Sequence, residues 1–365
     1  MKGIGATIAL AALLACVGLV ACGDDDDSGN GGGEGGGKKI ALLLPETKTT
    51  RYEQHDRPGF TDKVAELCPD CEVIYANAAQ DANKQQAQAE AAITKGAAVL
   101  VLDAVDADAA ATMVERAKQS DVPVIAYDRL ISDADIDHYV SFDNVRQGRI
   151  EAHTLLDELG NNGKGKSIVM INGSPTDPSA GDYKKGAHQV FDASGVEIAK
   201  EYDTPDWSPD KAQLEMEQAT TALGKENIDA VYSANDGMAG GAIAAMKSAG
   251  IDPQRVPVTG GDAEVAAIQR ILGGDQFMTI YLTIKKQAEV SAQLAVAAAQ
   301  GKDAPAGLIN AKVDNGQEQV PSVLLTPVAV TKDNIADTVI KDGFYEPSDI
   351  CTGRFAKACE EAGIG

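Results

Sequence analysis

Polar residues recur at a set position in this sequence, directly behind short runs of β-branched and aliphatic residues. The residues at these positions are Asp103, Asp128, Arg129, Asn144, Asn172, Asn235, Asp236 and Asp262. A carboxylate accepts two hydroxyl hydrogens, an arginine presents a rigid fork of donors, and an asparagine both donates and accepts. Such a set suits a ligand with several hydroxyl groups. Each residue alone could equally be a helix cap or a turn residue, so it is their recurrence that indicates a binding site.

The sequence contains one tryptophan, Trp207, in a proline-flanked segment just before a predicted helix that begins at Pro209. Its ring could stack on the apolar C–H face of a ligand. It could also be a core or capping aromatic ahead of that helix, and the segment alone does not decide between the two.

No catalytic constellation is recognisable. The four histidines, His55, His138, His153 and His188, stand in no Ser/His/Asp or metal-ligand pattern. The segment Gly260–Asp262 is not a nucleophile elbow, and no catalytic carboxylate pair can be chosen from spacing alone. We therefore expect no catalytic residue, no metal and no cofactor. A glycoside-acting hydrolase is the alternative from another class, and turnover of a glycoside would favour it.

Predicted strands alternate with predicted helices along the chain. The strands are expected at 40–44, 73–76, 98–102, 122–127, 167–171, 197–202, 230–234, 256–259 and 277–282. The helices are expected at 82–94, 107–119, 182–193, 209–223, 238–248 and 284–299. This order predicts an α/β fold with two similar halves, each a parallel sheet covered on both faces. Ligands of such sheets bind beyond the carboxyl ends of the strands. The strand at 277–282 and the helix after it are expected to return and complete the first half.

The N-terminus predicts export. Lys2 precedes an apolar run that is too short for a stable membrane span and is typical of a signal peptide over residues 1–21. The run ends in Leu19-Val20-Ala21-Cys22, which is similar to a bacterial lipobox, so Cys22 is the predicted lipidation site. An ordinary secretory peptide that happens to contain a cysteine is the alternative. Residues 22–37 are Asp- and Gly-rich and predict a flexible tether.

The charge balance excludes two classes of partner. The chain has 365 residues and a formal net charge of -23 at pH 7. That charge repels nucleic acid and anionic lipid, so we expect contact with the membrane only through a lipid anchor. A regulator of transcription would need an N-terminal DNA-binding motif and a basic face, and the chain has neither. We expect a monomer.

Four cysteines lie in the predicted mature chain beyond Cys22. An even number outside the cytoplasm indicates disulfides, and the preferred pairs are Cys68 with Cys71 and Cys351 with Cys359. One alternative is a zinc site formed by all four thiolates. A redox role for Cys68 and Cys71 is another alternative.

Several segments together resemble the periplasmic xylose-binding proteins of ABC importers. The matching segments are 126–131, 135–137, 141–144, 172–175, 233–236, 239–242, 260–263, 325–327 and 337–344. The resemblance covers nearly all of residues 38–348. It implies a type I periplasmic binding protein, which holds a monosaccharide between two lobes joined by three crossing strands. It also implies delivery of that sugar to a separate permease and ATPase.

The resemblance assigns further site residues and domain boundaries. Arg51 and Tyr52 are similar to an Arg-aromatic pair of the family, and Trp207 matches a tryptophan of its cleft. The implied crossings are near 141–144, 272–277 and 318–323. The implied domains are 38–141 with 277–320 for the first lobe, 142–276 with 321–350 for the second, and 351–365 for a C-terminal tail.

Two positions depart from the family. Leu282 stands where the family has a lysine that reaches the sugar, and Gly261 stands where it has a glutamine. Losing the lysine removes a contact to a hydroxyl, so xylose is the leading member of a class that includes other pentoses. A lipoprotein that presents sugar to a chemoreceptor or kinase would have the same binding site.

Overall fold

The computed structural model describes residues 37–364, and the predicted signal peptide, Cys22 and all but the last residue of the tether lie outside this range. The strands are β1 (Lys39–Leu44), β2 (Glu72–Asn77), β3 (Ala97–Leu102), β4 (Val124–Tyr127), β5 (His138–Phe142), β6 (Ser167–Asn172), β7 (Glu197–Asp203), β8 (Ala230–Ser233), β9 (Met278–Tyr281), β10 (Ala311–Asp314), β11 (Gln319–Leu325) and β12 (Val328–Thr331).

The α-helices are α1 (Arg57–Leu67), α2 (Ala82–Thr94), α3 (Ala111–Lys118), α4 (Asn144–Leu159), α5 (Pro178–Phe191), α6 (Pro209–Leu223), α7 (Asp236–Ser248), α8 (Val265–Gly273), α9 (Ile284–Ala299), α10 (Pro347–Ile350) and α11 (Ala356–Glu361). None of the helices in the described range is long and apolar enough to cross a bilayer.

Seven strands form the first sheet, in the order β10-β11-β5-β4-β3-β1-β2. All neighbours are parallel except β10 and β11. The central strands are apolar throughout because helices cover both faces. Side chains of α2 and α3 pack on one face, and side chains of α1 and α9 pack on the other. We call this sheet and its helices lobe 1.

The second half is built on the parallel sheet β7-β6-β8, which we call lobe 2 together with α4 to α8. Beyond β8, Val258 bridges to Val231, so the predicted strand at 256–259 is reduced to a single bridge. The amide of Phe277 then donates to the Val258 carbonyl, and β9 pairs with β12 in antiparallel fashion. These bonds extend the edge of lobe 2 by two further strands.

The position of β9 corrects one expectation. The strand at 277–282 does not complete the first sheet, because its hydrogen bonds go to β12 and to the 258–262 segment of lobe 2. The helix that follows, α9, does pack in lobe 1. The chain therefore passes between the lobes at residues 282–283 and not at 272–277.

The last passage is also later than expected. β11 stays paired with β5 as far as Leu325, and β12 lies in lobe 2, so the chain passes at residues 326–327 and not at 318–323. The first passage is at Asp143, between β5 and α4. The mixed α/β class with parallel sheets is confirmed.

Two disulfides are present in the described range. Cys68 is bonded to Cys71 at the end of α1, and Cys351 is bonded to Cys359 in the C-terminal segment. These are the local pairs preferred from the sequence. The second ties down a segment whose apolar residues pack against α8 in lobe 2.

Glu151 generates a prediction about pH and stability. It lies on α4, is fully buried and accepts a 2.5 Å hydrogen bond from the Thr259 hydroxyl. Burial raises its pKa well above the usual range. Because the folded state then holds this proton more tightly than the unfolded state, stability falls as pH rises above the unfolded pKa of about 4.5.

We expect Glu151→Gln to remove this decline, which amounts to at most about 1.4 kcal/mol per pH unit for one proton. Thermal unfolding between pH 4.5 and pH 8 measures it. The exposed Glu158→Gln on the same helix is the control, and an unchanged pH dependence in Glu151→Gln would contradict the prediction.

Candidate ligand-binding site

A cavity with an empty volume of about 340 Å³ lies at the carboxyl ends of the parallel strands, between the two lobes. Its lining residues are Thr49, Arg51, Tyr52, Asp128, Arg129, Asp177, Tyr183, Trp207, Ala234, Asn235 and Asp262.

Seven of the eight residues predicted for the site line this cavity. Arg51 and Tyr52 come from the turn after β1, and Asp128 and Arg129 follow β4. Asn235 follows β8, Trp207 precedes α6, and Asp262 follows the segment that bridges to β8.

Asn144 is the predicted site residue that does not line the cavity. It is the first residue of α4, it is buried, and its side-chain oxygen has no hydrogen-bond partner within residues 37–364. It follows β5 directly, at the first passage between the lobes, and this position behind a strand is why the sequence pattern includes it among the site residues.

Arg129 is the most buried charge of the site. Its Nε lies 2.9 Å from an oxygen of Asp177 in lobe 2 and 3.3 Å from an oxygen of Asp103 in lobe 1, without a well-aligned hydrogen bond to either. Its Nη atoms donate to the Ala104 carbonyl and the Tyr52 hydroxyl. Burial opposes its charge, but the neighbouring acidic groups, Asp177 first among them and then Asp103 and Glu46, together outweigh this and raise the Arg129 pKa well above the usual range.

The same Asp177 carboxylate orients the tryptophan. The Trp207 indole N–H donates to it over 3.1 Å, so one acidic group contacts Arg129 of lobe 1 and Trp207 of lobe 2. The Trp207 ring also lies against Gly173, where a Cβ atom would come within 2.1 Å of it. Only glycine leaves room for the ring at this position. Tyr183 meets the ring edge-on at 6.3 Å between centroids.

Arg51 is held by carboxylates on two sides. Its Nε and Nη2 donate to the two oxygens of Asp56 at 2.9 and 2.8 Å, a bidentate pair. Its Nη1 donates to one oxygen of Asp128 at 3.1 Å. The Tyr127 hydroxyl also donates to Asp56. Asp128 itself has a positive φ of 64°, which turns the chain sharply at the end of β4.

Asp262 and Asn235 present polar groups to the cavity from lobe 2. Within residues 37–364 the Asp262 carboxyl has no hydrogen bond to another side chain, and burial raises its pKa well above the usual range. The Asn235 oxygen caps α7 by accepting from the Met238 amide at 3.0 Å, which leaves its amide hydrogens for another partner.

The other polar residues behind strands have structural roles. Asn172 donates to Glu201 and Asp203, away from the cavity lining. Asp236 accepts from Gln276, Thr279 and the Glu264 amide, and burial raises its pKa to about 7.

Four lining residues were not predicted: Thr49, Asp177, Tyr183 and Ala234. Asp177 carried a usable signal, because it lies two residues beyond the segment 172–175 and just ahead of α5. Asp177 also caps α5, since its second oxygen accepts from the Ser179 amide. A helix cap explains its position in the sequence, so the pattern does not reveal that it lines the cavity. Tyr183, inside α5, carried no such signal.

Loops of the two lobes also bond directly across the cleft. Glu264 of lobe 2 accepts from both the amide and the hydroxyl of Thr50 in lobe 1, at 3.1 and 3.0 Å. On the other side, the Ala107 amide donates to the Thr176 carbonyl and the Thr176 hydroxyl donates to the Val105 carbonyl. Leu282, at the second passage, is buried in the apolar cluster around Phe142 and does not line the cavity.

This geometry agrees with what the chain is similar to. A family model described as a periplasmic binding protein domain matches residues 40–303. The D-xylose-binding periplasmic protein of Escherichia coli (strain K12) is 36% identical over 315 residues, which is 85% of this chain and 92% of the relative. The protein of the same description from Haemophilus influenzae is 38% identical over 317 residues, covering 85% and 91%.

A solved structure gives the same result for the fold. An ABC transporter solute-binding protein from Clostridium phytofermentans with bound β-D-glucose superposes with a TM-score of 0.79 at 26% identity. The match covers 86% of this chain and all of the other. These relatives are substrate-binding proteins and not enzymes, so the hydrolase alternative is set aside. The chain belongs to the periplasmic binding protein family, among the sugar-binding proteins of ABC transporters.

Proposed function

We propose that this cavity binds a neutral monosaccharide, with D-xylose or another pentose as the leading ligand, for delivery to an ABC permease and its ATPase. The observation that carries the proposal is the composition of the cavity. Carboxyl and amide groups with unused hydrogen-bonding capacity face one tryptophan ring across a space of about 340 Å³.

Acceptors outnumber free donors in the lining. The N–H groups of Arg51 and Arg129 donate largely to oxygen atoms of the protein itself. One Asp128 oxygen and the Asp262 carboxyl are left to accept hydrogen from a ligand. Sugar hydroxyls supply such hydrogens, and the Trp207 ring can cover a C–H face.

The charge of the site disfavours anions. Asp56, Asp103, Asp128, Asp177 and Asp262 surround two arginines that are already paired. A sugar acid or sugar phosphate would bring further negative charge into this buried set. Like charges at short range in a dry site are strongly unfavourable.

The choice of xylose rests on the relatives' names, and the glucose bound to the Clostridium protein keeps hexoses within the class. Because Leu282 stands where the family has a lysine, one hydroxyl contact is missing from the side of the second passage.

We also propose that Cys22 carries the acyl anchor and that the protein acts as a monomer. The lipobox-like segment before Cys22 supports the first proposal. Replacing Cys22 by Ala should abolish labelling by a fatty acid analogue, and labelling that persists would refute it.

The proposed ligand class predicts the order of affinities for a panel of sugars. We expect D-xylose or another neutral aldopentose to bind with micromolar affinity or better, about 8 kcal/mol. The corresponding sugar acids and 5-phosphates should bind at least about a hundredfold more weakly, because of the carboxylates in the site. Titration calorimetry measures the affinities, and Trp207 fluorescence reports whether the ring is near the ligand.

Preference for an anionic sugar in that panel would contradict the charge argument. Absence of binding to every pentose and hexose tested would contradict the proposed function as a whole.

The geometry also predicts which residues carry affinity. We expect Arg129→Ala and Asp262→Ala each to weaken sugar binding by at least about tenfold, roughly 1.4 kcal/mol, since each removes a hydrogen-bonding group that lines the cavity. Arg255, exposed and remote from the cavity, provides the control Arg255→Ala. If both cavity variants fold with unchanged melting curves and bind sugar with unchanged affinity, this cavity is not the binding site.

A further inference from the structure

Behind the cavity, Gln287 connects two of the three charged residues that lobe 1 presents to it, Arg51 and Asp128. Gln287 lies on α9, the helix that follows the second passage between the lobes, and it is fully buried. It does not line the cavity, and neither the strand-end pattern nor the family resemblance pointed to it.

The Gln287 amide is fully used. Its oxygen accepts from Nη2 of Arg51 at 2.7 Å. Its nitrogen donates to Oδ1 of Asp128 at 2.9 Å and to the Val140 carbonyl at 3.2 Å. The orientation follows from the partners, because the reverse would set amide hydrogens against a guanidinium and the amide oxygen against a carboxylate.

These bonds restrict how Asp128 can present itself. Oδ1 already accepts from both Arg51 and Gln287, so it is Oδ2 that stays available to a ligand. Without Gln287, Arg51 and Asp128 could form a bidentate pair, the geometry that guanidinium and carboxylate favour. Such a pair would consume both carboxylate oxygens.

We propose that Gln287 is a positioning residue for sugar binding: it keeps Arg51 and Asp128 singly bonded, so that one Asp128 oxygen faces the ligand. This proposal rests on the proposed function, since it assumes that Asp128 accepts from a sugar hydroxyl. It gives α9 a part in ligand affinity, although no residue of α9 lines the cavity.

The test replaces Gln287 by Met, which keeps length and volume and removes both hydrogen-bonding functions. Calorimetry with the sugar that binds the unaltered protein best should show affinity weakened by at least about tenfold. In an Asp128→Asn background the same replacement should cost less than about threefold, because the oxygen that it positions is already altered. Equal costs in the two backgrounds would overturn the proposal.

A matched control exists in lobe 2. Gln276 is also buried between an arginine and an aspartate, accepting from Arg270 at 2.9 Å and donating to Asp236 at 2.7 Å, but it does not line or support the cavity. Gln276→Met should lower the melting temperature and change sugar affinity by less than about threefold. If it weakens affinity as much as Gln287→Met, the effect is general destabilisation and the proposal fails.

A second variant covers the case in which Gln287→Met does not fold. Gln287→Glu keeps the acceptor for Arg51 and loses the donor to Asp128, so affinity should fall at pH 8 and recover as the introduced carboxyl is protonated at lower pH. The unaltered protein should not show this recovery. Lack of any pH-dependent recovery would count against the proposal, whereas failure of the unaltered protein to bind any sugar would refute the proposed function itself.

Discussion

The buried contact between Arg129 and Asp177 is the constraint on which the site depends. Their side chains are at most 4% exposed, and they belong to different lobes. An ion pair removed from water is stable only if other groups satisfy both partners. Here Arg129 also bonds the Ala104 carbonyl and the Tyr52 hydroxyl, while Asp177 accepts from the Ser179 amide and the Trp207 indole. Separating the lobes would leave both charges short of partners.

Because Asp177 serves both Arg129 and Trp207, the approach of the lobes and the orientation of the ring are linked. Thr50 with Glu264, and Thr176 with Val105, bond across the same cleft on either side. The contacts that hold the two sides of the cavity together are therefore the same contacts that orient the tryptophan ring.

Arginines in this site act mainly on the protein. Arg51 uses four of its five N–H groups on Asp56, Asp128 and Gln287. Its role is to hold these carboxylates in a fixed orientation at the cavity. The ligand then meets acceptors with fixed directions, which suits hydroxyl groups and rejects additional negative charge.

Much of this could be read from the sequence, for a physical reason. Parallel strands end at one edge, so polar residues directly behind them converge, and Asp128, Arg129, Asn235 and Asp262 did so. Helix bounds were also accurate where alanine-rich segments ended at glycine or proline, as in α6. The first passage between the lobes lies where the resemblance implied it, but the second and third lie later, since β9 reads as an ordinary buried strand and its partner β12 is short and half-exposed.

Tyr183 and Gln287 could not be chosen from the sequence because their side chains act from within helices, and the signal at Asp177 was masked by its position as a helix cap. Asp177 is an ordinary helix cap by pattern, and Gln287 is one of several glutamines on helices. Asp177 and Gln287 are distinguished by long-range contacts, because each contacts a charged residue more than forty positions away in the chain. The local pattern of apolar and polar residues does not reveal contacts between residues that are distant in the chain.

A crystal structure of the protein grown with D-xylose would show whether the cavity is the sugar site. We expect sugar density inside the cavity, with hydroxyl oxygens within about 3.2 Å of Asp128, Asn235 and Asp262 and a C–H face against Trp207. Density bound elsewhere on the protein, or a sugar in the cavity that makes no contact with these three side chains, would contradict this expectation.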